Sequence, residues 1–350
     1  MNALITILIL AIILCVIISF HEFGHFIAAK KSGVYVDEFS IGMGPTIFKH
    51  KPKNSETTYS IRALPIGGFV SMAEKADPDN KKLKKNQILE NKDFIHCFWV
   101  FINGIVFNFI LAVILFFISG LIYGRPISEP IVDKVIEGYT AQAAGLESGD
   151  KIIQINGVNV TTLDDFILEA VAKDEKRSVY TFVVKKASGE TKSYLLIPKL
   201  DEDGNKTYGI QFKGKVYKKG FVEALKYSVL GTYDTSKVIF KILGSLFTGK
   251  VSAKNLSGPV GIYSLVDGVK SQGLMTLIYL TAYLSINVGI VNLIPIPVFD
   301  GGRVLILIIE KIIGRKTNEK LENALNLVGF GLMILLMLYV TFNDIVRLVK

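Results

Sequence analysis

Residues 3–20 carry no charged side chain, and this run leads directly into His21-Glu22-Phe23-Gly24-His25. Eighteen such residues rise ~27 Å as a helix, close to the hydrocarbon thickness of a bilayer. Ionisable groups placed where a membrane helix continues are costly and mark function by default. On a helix His21 and His25 share a face, four residues apart, and both can reach one metal ion. Glu22 follows the first histidine and can touch a water at that metal without itself being a ligand. H-E-x-x-H is the spacing of zinc hydrolases. The bland alternative is two satisfied helix histidines beside a stray glutamate. It suits a soluble helix better than the end of a membrane span.

Three further apolar stretches, 94–123, 274–299 and 325–342, join the first at 4–29, in a chain that is half hydrophobic. Each is long enough to cross a bilayer, which predicts a polytopic α-helical membrane protein with about four transmembrane helices. The first stretch does not read as a signal peptide, having no basic residue ahead of it and no small-x-small cleavage site. Cys15 and Cys97 lie in or at spans and are not disulfide candidates. The net charge of +9 is dispersed and accompanied by no nucleic-acid-binding motif, so nucleic acid is excluded as a partner. The basic residues flank the spans unevenly. None precedes the first span, a dozen lie in 30–93 and five in 303–320. Both loops therefore read as cytoplasmic, leaving the termini and the long segment 124–270 outside a multi-pass plasma-membrane protein.

This orientation sends spans one and three the same way, so their C-terminal ends meet on one side. The end of span three reads Asn292-Leu-Ile-Pro295-Ile-Pro297-Val-Phe-Asp300-Gly301-Gly302. Asp300 thus reaches the depth of the histidines and supplies a third ligand, as a catalytic zinc site requires. Pro295 and Pro297 break the helix, which membranes tolerate only where backbone is buried in protein or lines a wet cavity. The alternative is a helix end with ordinary Pro-Gly punctuation and a solvated aspartate.

With these motifs the sequence resembles the site-2 protease family of intramembrane zinc metalloproteases, in the branch of bacterial sigma-factor-regulating proteases. His21 to His25 match the family's zinc motif and Asn292 to Gly301 its N-x-x-P-x-P-x-x-D-G motif. Ser257-Gly258-Pro259-Val260-Gly261 matches a further signature. The chain departs in span two, where the family's A-G-P-x-x-N reads Asn103-Gly104-Ile105-Val106-Phe107-Asn108. The resemblance implies one catalytic Zn2+ on His21, His25 and Asp300, with Glu22 as general base. The implied substrates are single-span membrane proteins: anti-sigma factors already trimmed by another protease, and leftover signal peptides. Asn292 and Asn108 are candidate donors to substrate.

Between spans one and two, strands are expected on either side of a turn at Pro65-Ile66-Gly67-Gly68. With Gly42-x-Gly44-Pro45 upstream, they resemble the family's membrane-associated β-hairpin region, with Gly67 and Gly68 placed to meet substrate; an ordinary surface hairpin fits as well. Residues 124–200 resemble an inserted extracytoplasmic α+β PDZ domain. Gly145-Leu146 and Gly149-Asp150 lead into Ile152 to Ile155, and Asn156-Gly157 forms a hairpin turn. Thr162 is expected to cap a helix near 163–171, and strands are expected near 179–184 and 192–197. Ile131 falls where the family's peptide groove would be. The domain acts either as a peptide binder or as a steric lid. A connector, 201–271, carries an expected amphipathic helix at 221–247 with Lys226, Lys237 and Lys241, lying on the membrane or, less simply, spanning it. Residues 1–123 and 272–350 form the membrane core. Two rivals remain from other classes, a membrane PDZ scaffold with a non-catalytic zinc site and a lipid hydrolase. A base at Glu22 argues against the first and a peptide-binding domain against the second. The sequence carries no signal for oligomeric state.

Overall fold

The chain's helices, seen in a computed structural model, are α1 (Asn2–Lys31), α2 (Phe94–Ile122), α3 (Thr140–Ala143), α4 (Leu163–Phe166), α5 (Phe221–Phe247), α6 (Pro259–Val269), α7 (Leu274–Leu293), α8 (Asp300–Ile313) and α9 (Glu319–Val349). The structure describes residues 2–75, 83–127, 129–172, 177–200, 206–213, 216–248 and 256–349. Among these, α1, α2, α7 and α9 contain the four stretches long and apolar enough to cross a membrane; α5 does not. The chain is thus a multi-pass membrane protein with an additional mixed α/β region. It divides into two compact units, residues 1–119 with 228–232 and 257–350, and residues 120–227 with 233–256.

In the first unit, Ile13 and Ile17 of α1 pack with Leu111 of α2, Val266 of α6, and Leu280 and Leu284 of α7. A second cluster joins Phe26, Ala28 and Ala29 to Val34, Val36 and the start of α2 at Cys97 and Val100. The third span ends earlier than its apolar stretch. Residues 274–299 read as one span, but α7 stops at Leu293, and Ile294 is already extended. The residue before a proline is pushed out of the helical region, and neither Pro295 nor Pro297 has an N–H with which to resume the ladder.

Strands β1 (Val36–His50) and β2 (Thr58–Met72) pair antiparallel. The expected turn at 65–68 is not a hairpin turn. Residue 67 bends β2 at φ +79° without ending it, and the connection between the strands is 51–57. Because both strands bend, residues 38–41 have partners on two flanks, 58–61 and 68–71. Residues 68–71 have a strand partner on one flank only, and their other flank meets α1.

In the second unit, β3 (Arg125–Ile127) and β4 (Val132–Val135) precede a four-stranded sheet. Its strands are β5 (Lys151–Ile155), β6 (Val158–Asn159), β7 (Tyr180–Lys185) and β8 (Thr191–Leu196), in the order β6-β5-β7-β8. Short strands β9 (Lys199–Leu200) and β10 (Lys206–Thr207) pair with each other. Beyond them β11 (Ile210–Phe212) pairs with β4, and β12 (Val216–Lys218) with β3. The unit therefore does not stop at residue 200: strands beyond it return to strands that open it. Asn156 and Gly157 both take positive φ, as a two-residue hairpin turn demands. Thr162 caps α4, its hydroxyl accepting from Asp165 N–H at 3.1 Å. The core holds Ile152, Ile155, Phe166, Tyr180, Phe182 and Tyr208.

Two of the three lysines of α5 face this unit rather than standing free. Lys237 lies 3.3 Å from buried Asp165, and Lys241 lies 3.6 Å from buried Glu169. Burial works to raise the pKa of Asp165, but hydrogen bonds from Thr161 and the nearby Lys237 outweigh it and hold the carboxyl below the usual range.

Candidate metal centre

His21 and His25 point from one face of α1, and both are buried. Asp300 opens α8, delivered by the break after α7. Their ligand atoms converge. Asp300 Oδ2 lies 3.1 Å from His21 Nε2 and 3.3 Å from His25 Nε2, and the two Nε2 atoms are 3.2 Å apart. Among the described residues this is the group of three that could hold a metal ion.

Hydrogen bonds elsewhere decide what these atoms can do. His25 Nδ1 is 2.7 Å from the Val100 carbonyl, which can only accept, so Nδ1 carries the proton and Nε2 presents its lone pair. Asp300 Oδ2 is buried and accepts no hydrogen bond from the chain. Electron-rich atoms this close repel one another unless a cation or protons lie among them. Three ligands ~2.0–2.1 Å from a tetrahedral zinc stand roughly 3.3–3.4 Å apart. The observed edges are close to that spacing, and two imidazoles with a carboxylate are a zinc donor set. The residues present fit a single catalytic zinc.

The floor of the site comes from α2, and sequence motifs alone did not reveal it. Val100, Gly104 and Asn108 are spaced by four and share a face. A Cβ on Gly104 would fall 2.3 Å from His25 Nε2 and 2.7 Å from His21 Cε1; a Cβ on Gly24 would fall 2.3 Å from the Asn103 carbonyl. Glycine at both positions lets α1 and α2 approach backbone to side chain, with the metal ligands in the gap. The available signal was a small residue inside each motif, with nothing to say what it faced.

Glu22 is not among the ligand atoms. Its Oε2 accepts a hydrogen bond from Val70 N–H at 3.2 Å, from the unpaired flank of β2. Next along that flank, the Gly67 carbonyl accepts from Ser19 at 3.4 Å, and Gly68 packs where a Cβ would lie 3.1 Å from Ser19 Oγ. Asn108 is fully buried, with Nδ2 3.1 Å from His21 Nδ1. That position sets its amide against a metal ligand. Asn292, near the end of α7, is partly exposed. Ile131 lies in the second unit. Its carbonyl accepts from Lys213 N–H, its N–H donates to the Glu129 carbonyl, and it bridges to Lys151, so an added strand would find no free backbone there.

The model of peptidase family M50 matches residues 9–336. The chain is similar to the zinc metalloprotease RasP of Bacillus licheniformis, at 33% identity over 420 aligned positions covering 98% of this chain and 99% of the relative. It is equally similar to the regulator of sigma-W protease RasP of Bacillus subtilis, at 33% identity over 422 positions with the same coverage. The family match begins within α1 ahead of His21 and runs past Asp300, so it takes in the whole metal cluster and the helix break that completes it; the chain belongs to peptidase family M50 and is a zinc-dependent intramembrane protease.

Proposed function

We propose that the protein cuts transmembrane segments of single-span membrane proteins, anti-sigma factors trimmed by a first protease above all, with leftover signal peptides as further substrates. The observation that carries the reading is the pairing of the three-ligand cluster with a carboxylate, Glu22, held beside it yet outside it. A relative that by name regulates sigma-W supports the choice of substrate class.

In this mechanism His21, His25 and Asp300 would hold the zinc, which when bound would supply Lewis acidity to a water and to the scissile carbonyl. Glu22 takes a proton from the attacking water on its carboxylate and delivers it to the departing amine nitrogen. Asn108 is a positioning residue. Its Oδ1 is buried and without a partner. A half-turn of the amide would let Oδ1 accept the Nδ1–H of His21 and fix Nε2 as the ligand atom. Substrate helices must unwind to expose a carbonyl, and unpaired backbone is costly in lipid. The flank of residues 67–70 that faces α1 carries no strand, and exchange of its bonds to Glu22 and Ser19 for a substrate strand would offer replacement partners directly beside Glu22. Asn292 is the remaining candidate for a contact to substrate. The distribution of basic residues supports a site toward the cytoplasmic face and the second unit outside.

The deciding experiment is Glu22→Gln in purified protein with a transmembrane reporter. Zinc content should stay at wild-type level and cleavage should vanish; cleavage near the wild-type rate would refute the mechanism.

The second unit, with its PDZ-like order of hairpin, capped helix and strands, acts in our reading as a gate on substrate ectodomains. Arg125 and Lys218 are partners across β3 and β12. Excising residues 128–215 between those strands and closing the gap with a short Gly/Ser linker therefore joins ends already side by side. Untrimmed substrates should then be cut in cells lacking the first protease. A folded, zinc-loaded deletion that cuts nothing would make the unit a required docking platform instead.

A further inference from the structure

The two basic loops that flank the spans are far apart in sequence, yet they meet in one cavity of about 620 Å³ in the first unit. One wall is Glu74, Lys75 and residues 89–94 with the first turns of α2; the other is α8 and the segment leading into α9. Its inner lining is apolar. Leu89 and Cys97 are buried there, with Phe101 and Leu307 packed against them.

The rim is charged, and its charges do not cancel. Four carboxylates line the cavity, and each is already engaged. Glu74 pairs with Arg303 at 3.0 Å, Glu90 with Lys316 at 3.3 Å and Glu322 with Lys75 at 3.0 Å. Glu310 accepts from Thr317 N–H at 2.7 Å and keeps its charge, so the rim's six cations exceed its four carboxylates by two. Lys92, Lys311 and Arg315 line the same cavity and have no ion-pair partner among the described residues. Three cations around an apolar pocket call for a ligand that is anionic at one end and apolar at the other.

The place in the fold narrows the class. Phe94 starts α2, and Gly314 to Thr317 join α8 to α9, so the cavity sits where two membrane spans begin. Basic pockets among helices at that level take lipid headgroups. A free phosphate would use the rim and leave the lining unused. An acidic peptide would not need a cavity at the membrane boundary. We propose that this cavity binds an anionic phospholipid, the phosphate against Lys92, Lys311 and Arg315 and the start of an acyl chain against Leu89, Phe101 and Leu307.

The test uses the full zinc-loaded chain in detergent, with native mass spectrometry after mixing with phosphatidylglycerol or phosphatidylcholine of identical chains. Wild type should retain phosphatidylglycerol at least tenfold better. A Lys92→Gln, Lys311→Gln, Arg315→Gln triple variant should lose that preference, and an equal-charge control, Lys51→Gln, Lys53→Gln, Lys134→Gln, should keep it. Retention of both lipids alike by wild type, or an unchanged preference in the triple variant, overturns the proposal. Displacement of phosphatidylglycerol by millimolar inorganic phosphate also overturns it, in favour of a phosphate site. A photoreactive phosphatidylglycerol on wild type needs no variant. Its crosslinks should map to residues 83–101 and 303–317, and crosslinks confined elsewhere overturn the assignment.

Discussion

Two aspartates in the membrane unit, Asp344 buried whole and Asp300 partly exposed but with its Oδ2 buried, have opposite surroundings. Asp344, near the end of α9, has every lone pair it needs engaged. Its Oδ2 accepts from Gly258 N–H at 2.9 Å and Gly261 N–H at 2.7 Å, and its Oδ1 from Arg347 at 2.5 Å. Those two amides are at the N-terminus of α6, with Pro259 in its first turn, so Asp344 caps one helix from another. Asp300, by contrast, holds Oδ2 among imidazole nitrogens with no donor from the chain. Burial alone therefore does not mark a functional carboxylate; the missing donor does. The comparison also gives Ser257-Gly258-Pro259-Val260-Gly261 a physical role, as the cradle for Asp344.

The sharpest way to break this contrast is to remove each carboxylate. Asp300→Ala should lose zinc by metal analysis and reduce cleavage by more than ~1,000-fold; full zinc occupancy would sink the ligand assignment. Gly104→Ala should come close to that effect, since its methyl would occupy the space of the His25 ligand atom. Zinc stoichiometry near one in a folded Gly104→Ala protein would show that the α1–α2 contact yields easily.

Asn108→Leu should weaken zinc by about 10–100-fold, read by competition with a chelator, while Asn108→Asp, which keeps an acceptor, should retain most of the affinity. Equal losses in both variants would deny Asn108 its role as acceptor for His21. The smallest effect on chemistry belongs to Asp344→Ala. It should keep zinc and activity at low temperature but lose roughly 2–3 kcal/mol of stability through the uncapped amides of α6. A zinc loss there with an unchanged melting curve would erase the distinction between the two aspartates.

Much of the site was readable without coordinates. His21, Glu22 and His25 belong to one helix, where spacing dictates who shares a face, and Asp300 followed from the depth at which a second span must end. Local chemistry likewise announced the Asn156-Gly157 turn and the Thr162 cap. The sequence misleads or falls silent where distant segments compete. Gly67 looked like the corner of a hairpin, but the sheet pairing of residues 68–71 with 38–41 carries β2 straight through it. Ile131 reads as a groove edge, and its backbone partners are the Glu129 carbonyl and Lys213, the residue after β11, which no local pattern announces.

By itself, then, the sequence determined the spans, the metal ligands, a carboxylate beside them at Glu22 and the order of turns and caps in the second unit. Each of these depends on residues within one helix or hairpin, and helical and strand periods are properties of the chain. Only the tertiary structure decided that Gly104 and Asn108 lie beneath the histidines, that Val70 N–H holds Glu22, and that two basic loops close one cavity. Those facts depend on how helices pack across tens or hundreds of intervening residues, where shape and the balance of hydrogen-bond donors choose the partner and no periodicity in the sequence records the choice.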